Sequence, residues 1–232
     1  ITKDDVVNLS AFTNNTGPLF IIGAVGVGML GSFKCGITLW FCHIISSLLT
    51  GILLCNLRRI YLKRRRRRGG PDGFEKTELV TADFTNTPAV KKDRIKPSLG
   101  RIVSEAMTGS MYTMIPIAAA VIFFAAFNAA AEASGLFGLI SEYLLGFMPR
   151  EASVGVIKGF FEITGGISSV ASADVGETFK MAIISGVAGL AGVSVYFQVA
   201  GIYSECRVSS GFYIIGKAAH GIIAFLLALI VF

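Results

Sequence analysis

Charge is so unevenly distributed along this chain that most of it cannot fold as a water-soluble domain. Fourteen of the 21 Lys and Arg residues, and five of the 15 Asp and Glu residues, lie between positions 58 and 101. The other 188 residues carry seven basic and ten acidic side chains, whereas about 25% of the residues in a soluble domain are charged. The sequence therefore predicts a polytopic membrane protein with one basic soluble loop.

The apolar runs predict the membrane spans, because a helix needs about 20 apolar residues to cross the hydrocarbon core. Five runs reach this length: 9–31, 36–57, 109–131, 178–203 and 211–232. A sixth run, 136–147, is too short to cross and is predicted to lie at the membrane interface. The expected fold class is all-α.

The segment 152–173 is apolar at its ends and polar in its middle, which favours a re-entrant hairpin over a full span. Each arm of about ten residues reaches about 15 Å, half of the hydrocarbon core. Gly165 and Gly166 lie in the middle of the segment, so we expect the chain to reverse there.

Two parts of the sequence have matching spacing. Asp5 precedes Lys34 by 29 residues, and Glu177 precedes Arg207 by 30, with a span between and a second span after each pair. The expected topology points the two units in opposite directions, as in the inverted repeats of secondary transporters.

This topology divides the chain into three regions: a first unit over 1–57, a basic loop over 58–106 and the remaining membrane elements over 107–232. The first unit has no preceding hairpin, and Ile1 is not an initiator Met. The chain is therefore predicted to be the C-terminal part of a longer protein.

The basic loop sets the predicted orientation. Lys and Arg near span ends favour the cytoplasmic side, so the loop is expected to be cytoplasmic, and its Gly, Pro and polar residues predict flexibility. The arginines at 64–68 directly follow a span, which favours contact with anionic lipids over nucleic-acid binding.

Three polar stretches lie at membrane depth and supply the candidate binding residues. Pro18 and Gly17 predict a discontinuous first helix, since Pro removes a backbone donor; the alternative is a helix that begins at Pro18 with Thr16 as its cap. The predicted substrate-binding residues from the three stretches are Asn14, Asn15, Thr16, Glu162, Thr164, Ser168, Ser194 and Gln198.

The ionisable residues predicted at membrane depth each have two interpretations. Glu162 is a functional candidate because acids inside a membrane are costly, but Lys158 lies four residues earlier and could pair with it on a helix. His43 and His220 occupy the second spans of the two units, where each could relay protons or be bonded within the bundle.

The three stretches resemble the nucleoside-recognition (Gate) domain family, and most closely the sporulation integral membrane proteins of the YlbJ type. The matching residues are Phe12-x-Asn14-x-x-Gly17-Pro18-x-Phe20, Gly159-x-x-Glu162-x-Thr164-x-Gly166 and Gly192-Val-Ser194-x-x-x-Gln198. The chain departs from the family pattern at Gly17, where a small hydroxyl residue is expected, and at Ala191, where a Gly is expected.

The resemblance implies transport of a small polar or anionic solute. For the sporulation subgroup it implies movement of dipicolinic acid across the mother-cell-derived membrane around the forespore. A nucleoside-type transporter and a non-transporting membrane scaffold are the alternatives. No Ser/His/Asp set, HExxH motif or P-loop occurs, so we expect neither an enzyme nor a metal or cofactor. An oligomer is compatible with the sequence.

Overall fold

The structure of the protein is a computed structural model, which describes residues 9–10, 12–67, 98–205 and 211–232. Over these residues every regular element is a helix. Four helical stretches are long and apolar enough to cross a membrane: Phe33–Leu57, Leu99–Ala133, Glu177–Ala200 and Gly211–Val231. The helices are α1 (Leu19–Met29), α2 (Phe33–Arg67), α3 (Leu99–Ala133), α4 (Leu136–Leu145), α5 (Arg150–Phe161), α6 (Ile163–Ser172), α7 (Glu177–Leu190), α8 (Gly192–Glu205) and α9 (Gly211–Val231). The protein is thus an all-α polytopic membrane protein.

The helices that flank the basic segment are longer than the apolar runs. α2 continues beyond position 57 to Arg67, and α3 already begins at Leu99. An apolar run predicts only the part of a helix that lies in the hydrocarbon core. The helix itself can extend into water beyond that run, because Leu, Lys and Arg have high helix propensity. Residues 68–97, which hold the rest of the predicted loop, lie outside the described residues.

α5 and α6 form the expected helical hairpin, but the chain reverses at a different residue. Glu162 separates the two helices with extended backbone angles (φ −147°, ψ 125°), so the predicted reversal at Gly165 and Gly166 is wrong. Gly166 instead lets the arms touch, since a Cβ there would lie 2.2 Å from the Cα of Gly159. The 12-residue arm α5 is about 18 Å long, which is little more than half of the hydrocarbon core.

Two helices of the bundle are broken. Residues 9–10 and 12–13 are helical, residues 14–17 are not, and α1 follows with π-helical winding, which confirms the predicted discontinuity. The second break was not expected: α7 and α8 are separated by left-handed backbone at Ala191 (φ 68°) and Gly192 (φ 73°). A Cβ on Gly192 would lie 3.0 Å from the carbonyl oxygen of Gly159, so this position needs glycine for both conformation and space.

The corresponding helices of the two units run antiparallel. On α2 and α9, His43 lies beside His220, and Leu54 lies in one buried cluster with Tyr213. Residue numbers thus rise along one helix as they fall along the other, as an inverted repeat requires. Arg207, one of the residues that marked the repeat in the sequence, lies outside the described residues.

Candidate functional site

The break before α1 is held in place by side chains of α2. The amide of Asn15 donates hydrogen bonds to the carbonyl oxygen of Phe12 and to the hydroxyl of Ser47, both at 2.8 Å. The Ser47 hydroxyl donates to the same Phe12 carbonyl at 2.6 Å. A carbonyl at the end of a helical segment lacks the backbone N–H that would normally donate to it. Here the side chains of Asn15 and Ser47 donate to the Phe12 carbonyl in its place.

Thr16 connects the break to two other helices. Its backbone N–H donates to Nε2 of His43 on α2 at 3.2 Å. Its hydroxyl lies 3.5 Å from the carbonyl oxygen of Ala188, near the end of α7. The two broken helices therefore meet at their breaks.

Lys217 of α9 reaches the same unwound segment and is 4% exposed. Its ammonium donates to the backbone carbonyl of Asn14 and lies 5.9 Å from the ring centroid of Tyr213. The Asn14 amide in turn donates to the Tyr213 hydroxyl at 2.9 Å. Among the ion pairs of the described residues none involves Lys217, so its charge is compensated there only by a carbonyl dipole and an aromatic face.

His43 and His220 pack against each other at the centre of the bundle. Their ring centroids are 4.7 Å apart, and the side chains are 1% and 0% exposed. Nε2 of His220 lies 3.2 Å from the carbonyl oxygen of His43 and 3.0 Å from the hydroxyl of Ser46. Both histidines are thus bonded within the bundle, and a role in proton relay stays a prediction.

Polar atoms without partners concentrate around this site. Six buried side-chain atoms find no hydrogen bond in the described part of the chain. Four belong to the break, the two packed histidines and α7: Asn15 Oδ1, His43 Nδ1, His220 Nδ1 and Ser185 Oγ; the other two are Trp40 Nε1 and Asn128 Oδ1. Leaving such an atom unpaired costs about 1–3 kcal/mol, so a cluster of four is typical of a place where something polar binds.

A small cavity is lined by two of these residues, His43 and Ser185. It has a volume of about 10 Å³, the room needed by about one water molecule. Its walls are mostly aliphatic and come from α1, α2, α6 and α7: Ile21, Val25, Leu39, His43, Ile167, Ile184, Ser185 and Ala188. In this conformation the site is closed around a space smaller than an organic solute.

Glu162 lies at the tip of the hairpin and caps α6. Its two carboxylate oxygens accept the backbone N–H groups of Thr164 at 2.7 Å and Gly165 at 2.8 Å, an arrangement that favours a negative charge at a helix N-terminus. Lys158 instead forms an ion pair with Glu132 of α3 at 2.9 Å. The alternative that Lys158 pairs with Glu162 does not hold in the structure, because Glu162 lies in the turn and does not share a helix with Lys158.

The other predicted binding residues lie apart from the break. Thr164 and Ser168 are on the exposed face of α6, Ser194 is buried near the start of α8, and Gln198 is half-buried one turn later. None of these four side chains is hydrogen-bonded to residues 14–17 in the described structure. Asn14, Asn15 and Thr16 are thus the predicted residues that the structure joins into one polar cluster.

Sequence reasoning missed Lys217, although a signal was available. Lys217 is a lysine inside an apolar helix of 21 residues, and an intramembrane ionisable residue is a functional candidate by default. The same rule had selected Glu162. Applied to α9, it would have selected Lys217 too.

Comparison with known proteins gives one informative match. The chain is similar to a sporulation membrane protein. It is 30% identical to the sporulation integral membrane protein YlbJ of Bacillus subtilis (strain 168) over 229 residues, which cover 97% of this chain and 55% of that protein. The chain therefore spans about half the length of this curated relative. No family model matches the chain, so the resemblance to the nucleoside-recognition family stays a prediction, and no solved structure matches either.

Proposed function

We propose that this chain forms part of a membrane transporter for a small organic anion, which binds at the unwound segment before α1. The observation that carries the proposal is Lys217, a lysine that is 4% exposed and forms no ion pair with a described acidic residue. A buried cation without a counter-ion is strongly disfavoured. An anionic solute beside it removes that penalty.

The surroundings of Lys217 supply further groups for an anion. The break frees backbone groups of residues 14–17, and Tyr213 and Ser47 place hydroxyls next to them. Broken helices that meet between inverted units are a common construction of substrate sites in secondary transporters. This role is transport rather than catalysis, and it uses no cofactor.

The proposed substrate is dipicolinate, and the proposed location is the membrane around the forespore. The relative is named as a sporulation integral membrane protein, which supports a role during sporulation. The substrate itself comes from the family resemblance of the three polar stretches. A dicarboxylate agrees with the positive charge of Lys217.

A nucleoside is the alternative solute, and Glu162 would then be the acidic group that accepts hydrogen bonds from it. Both oxygens of Glu162 already accept backbone N–H groups of α6. The charged group at the break is the ammonium of Lys217, which favours an anion over a neutral nucleoside.

Uptake into liposomes tests the proposal. Purified protein is reconstituted, and the uptake of radiolabelled dipicolinate is compared with that of uridine. Dipicolinate uptake is expected, and Lys217→Met should lower it by about tenfold or more, the effect of losing one charged hydrogen bond. Lys180→Met is the matched control, because Lys180 also donates to a backbone carbonyl, that of Ala171 at 3.0 Å, and forms no hydrogen bond to residues 14–17 in the described structure.

Three results would contradict the proposal. Uridine uptake without dipicolinate uptake would establish the nucleoside alternative. Equal losses in the two lysine variants would remove Lys217 from the site. Uptake of neither solute by correctly folded protein would favour the membrane scaffold.

A further inference from the structure

The hydrogen bonds around His43 determine which of its nitrogens carries the proton. Nε2 of His43 faces the backbone N–H of Thr16 at 3.2 Å, and a backbone N–H can only donate. Nε2 must therefore accept, and in the neutral ring the proton lies on Nδ1. That Nδ1–H is buried and has no partner among the described residues.

His220 has the opposite arrangement. Its Nε2 faces the carbonyl oxygen of His43 and the hydroxyl of Ser46. Ser46 already donates its own hydrogen to that carbonyl at 2.9 Å, so both groups are acceptors toward His220. Nε2 of His220 must donate, which leaves a lone pair on Nδ1 that is buried and unpartnered in the described structure.

Because of this difference, only the His220 ring has a nitrogen lone pair that is free to accept a further proton. A proton on Nδ1 of His220 breaks no hydrogen bond of the site. His43 could accept a proton only on Nε2, where it would displace the N–H of Thr16 and loosen the break.

We infer that one proton binds to Nδ1 of His220 together with the anion, so that the solute crosses with a proton. The inference rests on the proposed anion site. Lys217 lies three residues before His220 on α9 and therefore on the same helix face. Two adjacent buried cations are strongly unfavourable alone, but both are compensated when a dianion binds between them.

The groups that face His220 support this coupling. On α2 the ring of His43 packs against it. On α9 Lys217 lies one turn before His220, and Tyr213 lies one turn further, with its ring 5.9 Å from the Lys217 ammonium. His43 also lines the small cavity, whose residues from α1, α6 and α7 are aliphatic except for Ser185. In the described structure the cluster thus contains a cation and neutral groups, so an incoming proton meets no carboxylate until the solute supplies one.

The coupling is reciprocal and changes no covalent bond other than the N–H bond. The proton comes from water on the side where the anion enters, binds Nδ1 of His220, and returns to water when the anion leaves. By linkage, the anion raises the affinity for the proton by the same factor as the proton raises the affinity for the anion. The favoured substrate class is a dicarboxylate, whose two charges match the two cations.

Calorimetry of dipicolinate binding tests the inference on the purified protein. Titrations in two buffers with different ionisation enthalpies count the protons taken up per anion, and we expect one. Between about pH 6 and about pH 8 the affinity should fall by up to about tenfold per pH unit as the proton becomes scarcer.

Two matched variants assign the proton to one ring. His220→Gln keeps a donor where Nε2 lies and removes the proton site, so binding should take up no proton and its affinity should not depend on pH. His43→Gln keeps an acceptor for Thr16 and should retain the proton uptake. If His220→Gln fails to fold, nitrogen NMR of histidine-labelled wild-type protein replaces it, with the charged ring of His220 expected in the dipicolinate complex.

Each contrary result has a separate meaning. Binding that depends on Lys217 but takes up no proton would overturn the coupling and leave the anion site in place. Proton uptake that persists in His220→Gln, its loss in His43→Gln, or a neutral His220 ring in the complex would overturn the assignment to His220. If no pH gives saturable binding of dipicolinate, the proposed function fails and the inference fails with it.

Discussion

Replacing Lys217 with Met should make the protein as stable as before or more stable, although it removes the proposed anion site. Lys217 is 4% exposed, and taking an unpaired ammonium out of water costs several kcal/mol. Its hydrogen bond to the Asn14 carbonyl returns about 1.5–3 kcal/mol. Met fills nearly the same volume without the charge, so the free energy of unfolding should rise by about 0–2 kcal/mol.

Thermal unfolding in detergent measures this change, with and without dipicolinate. Wild-type protein should be stabilised by dipicolinate because a ligand that binds only the folded state adds to stability, whereas Lys217→Met should show no such shift. A loss of about 3–5 kcal/mol in Lys217→Met would refute the reasoning. A loss of that size would mean that a buried carboxylate pairs with Lys217 and that the lysine is structural.

Other parts of the molecule give further predictions. Gly166→Ala should destabilise the protein by about 1–3 kcal/mol in the same unfolding assay, because its methyl group would collide with the backbone of α5; an unchanged stability would contradict the packing of the hairpin. Glu162→Ala should cost about 1–2 kcal/mol through loss of the cap, and Lys158→Met should not rescue it; rescue would restore the pair that the structure lacks. Single cysteines at Glu151 and Asp174, in protein freed of its native cysteines, should react with an impermeant reagent from the same side; labelling from opposite sides would replace the re-entrant hairpin with a span. Gln at positions 64–68 should leave uptake intact in correctly inserted protein; lost dipicolinate binding would place that run in the site.

The sequence was sufficient for the broad architecture because membrane insertion imposes simple rules. Runs of about 20 apolar residues mark spans, and Pro18 after Gly17 marked the first break. The second break had no such mark, because Ala191 is a helix former by propensity. Its left-handed backbone arises where Gly192 meets the carbonyls of α5, a tertiary contact that a single sequence does not reveal.

The candidate site was predictable only in part, for a related reason. Asn14, Asn15 and Thr16 were recognised because they are neighbours in sequence and interrupt an apolar run. Their main partners come from other helices. Lys217 lies on α9, far along the chain, and His43 lies on α2, the second helix of the first unit. Glu162 was recognised as important, but its extended backbone gave it a capping role that helical spacing could not predict.

The tip of the hairpin satisfies its own hydrogen bonds, and this makes the hairpin a partly separable piece of the bundle. Glu162 satisfies the first N–H groups of α6 from within the hairpin itself, and the arms join through glycine backbones. Its tip forms no hydrogen bond to α1 or α2 among the described residues. Its polar ties run to α3 through Lys158 and to α7 through the carbonyl of Ala171, which accepts from Lys180. Because the tip carries its own cap, the hairpin can move with α3 along apolar neighbours without exposing backbone N–H groups at the tip. Such a displacement breaks one hydrogen bond, that between Lys180 and Ala171, and otherwise exchanges one van der Waals surface for another.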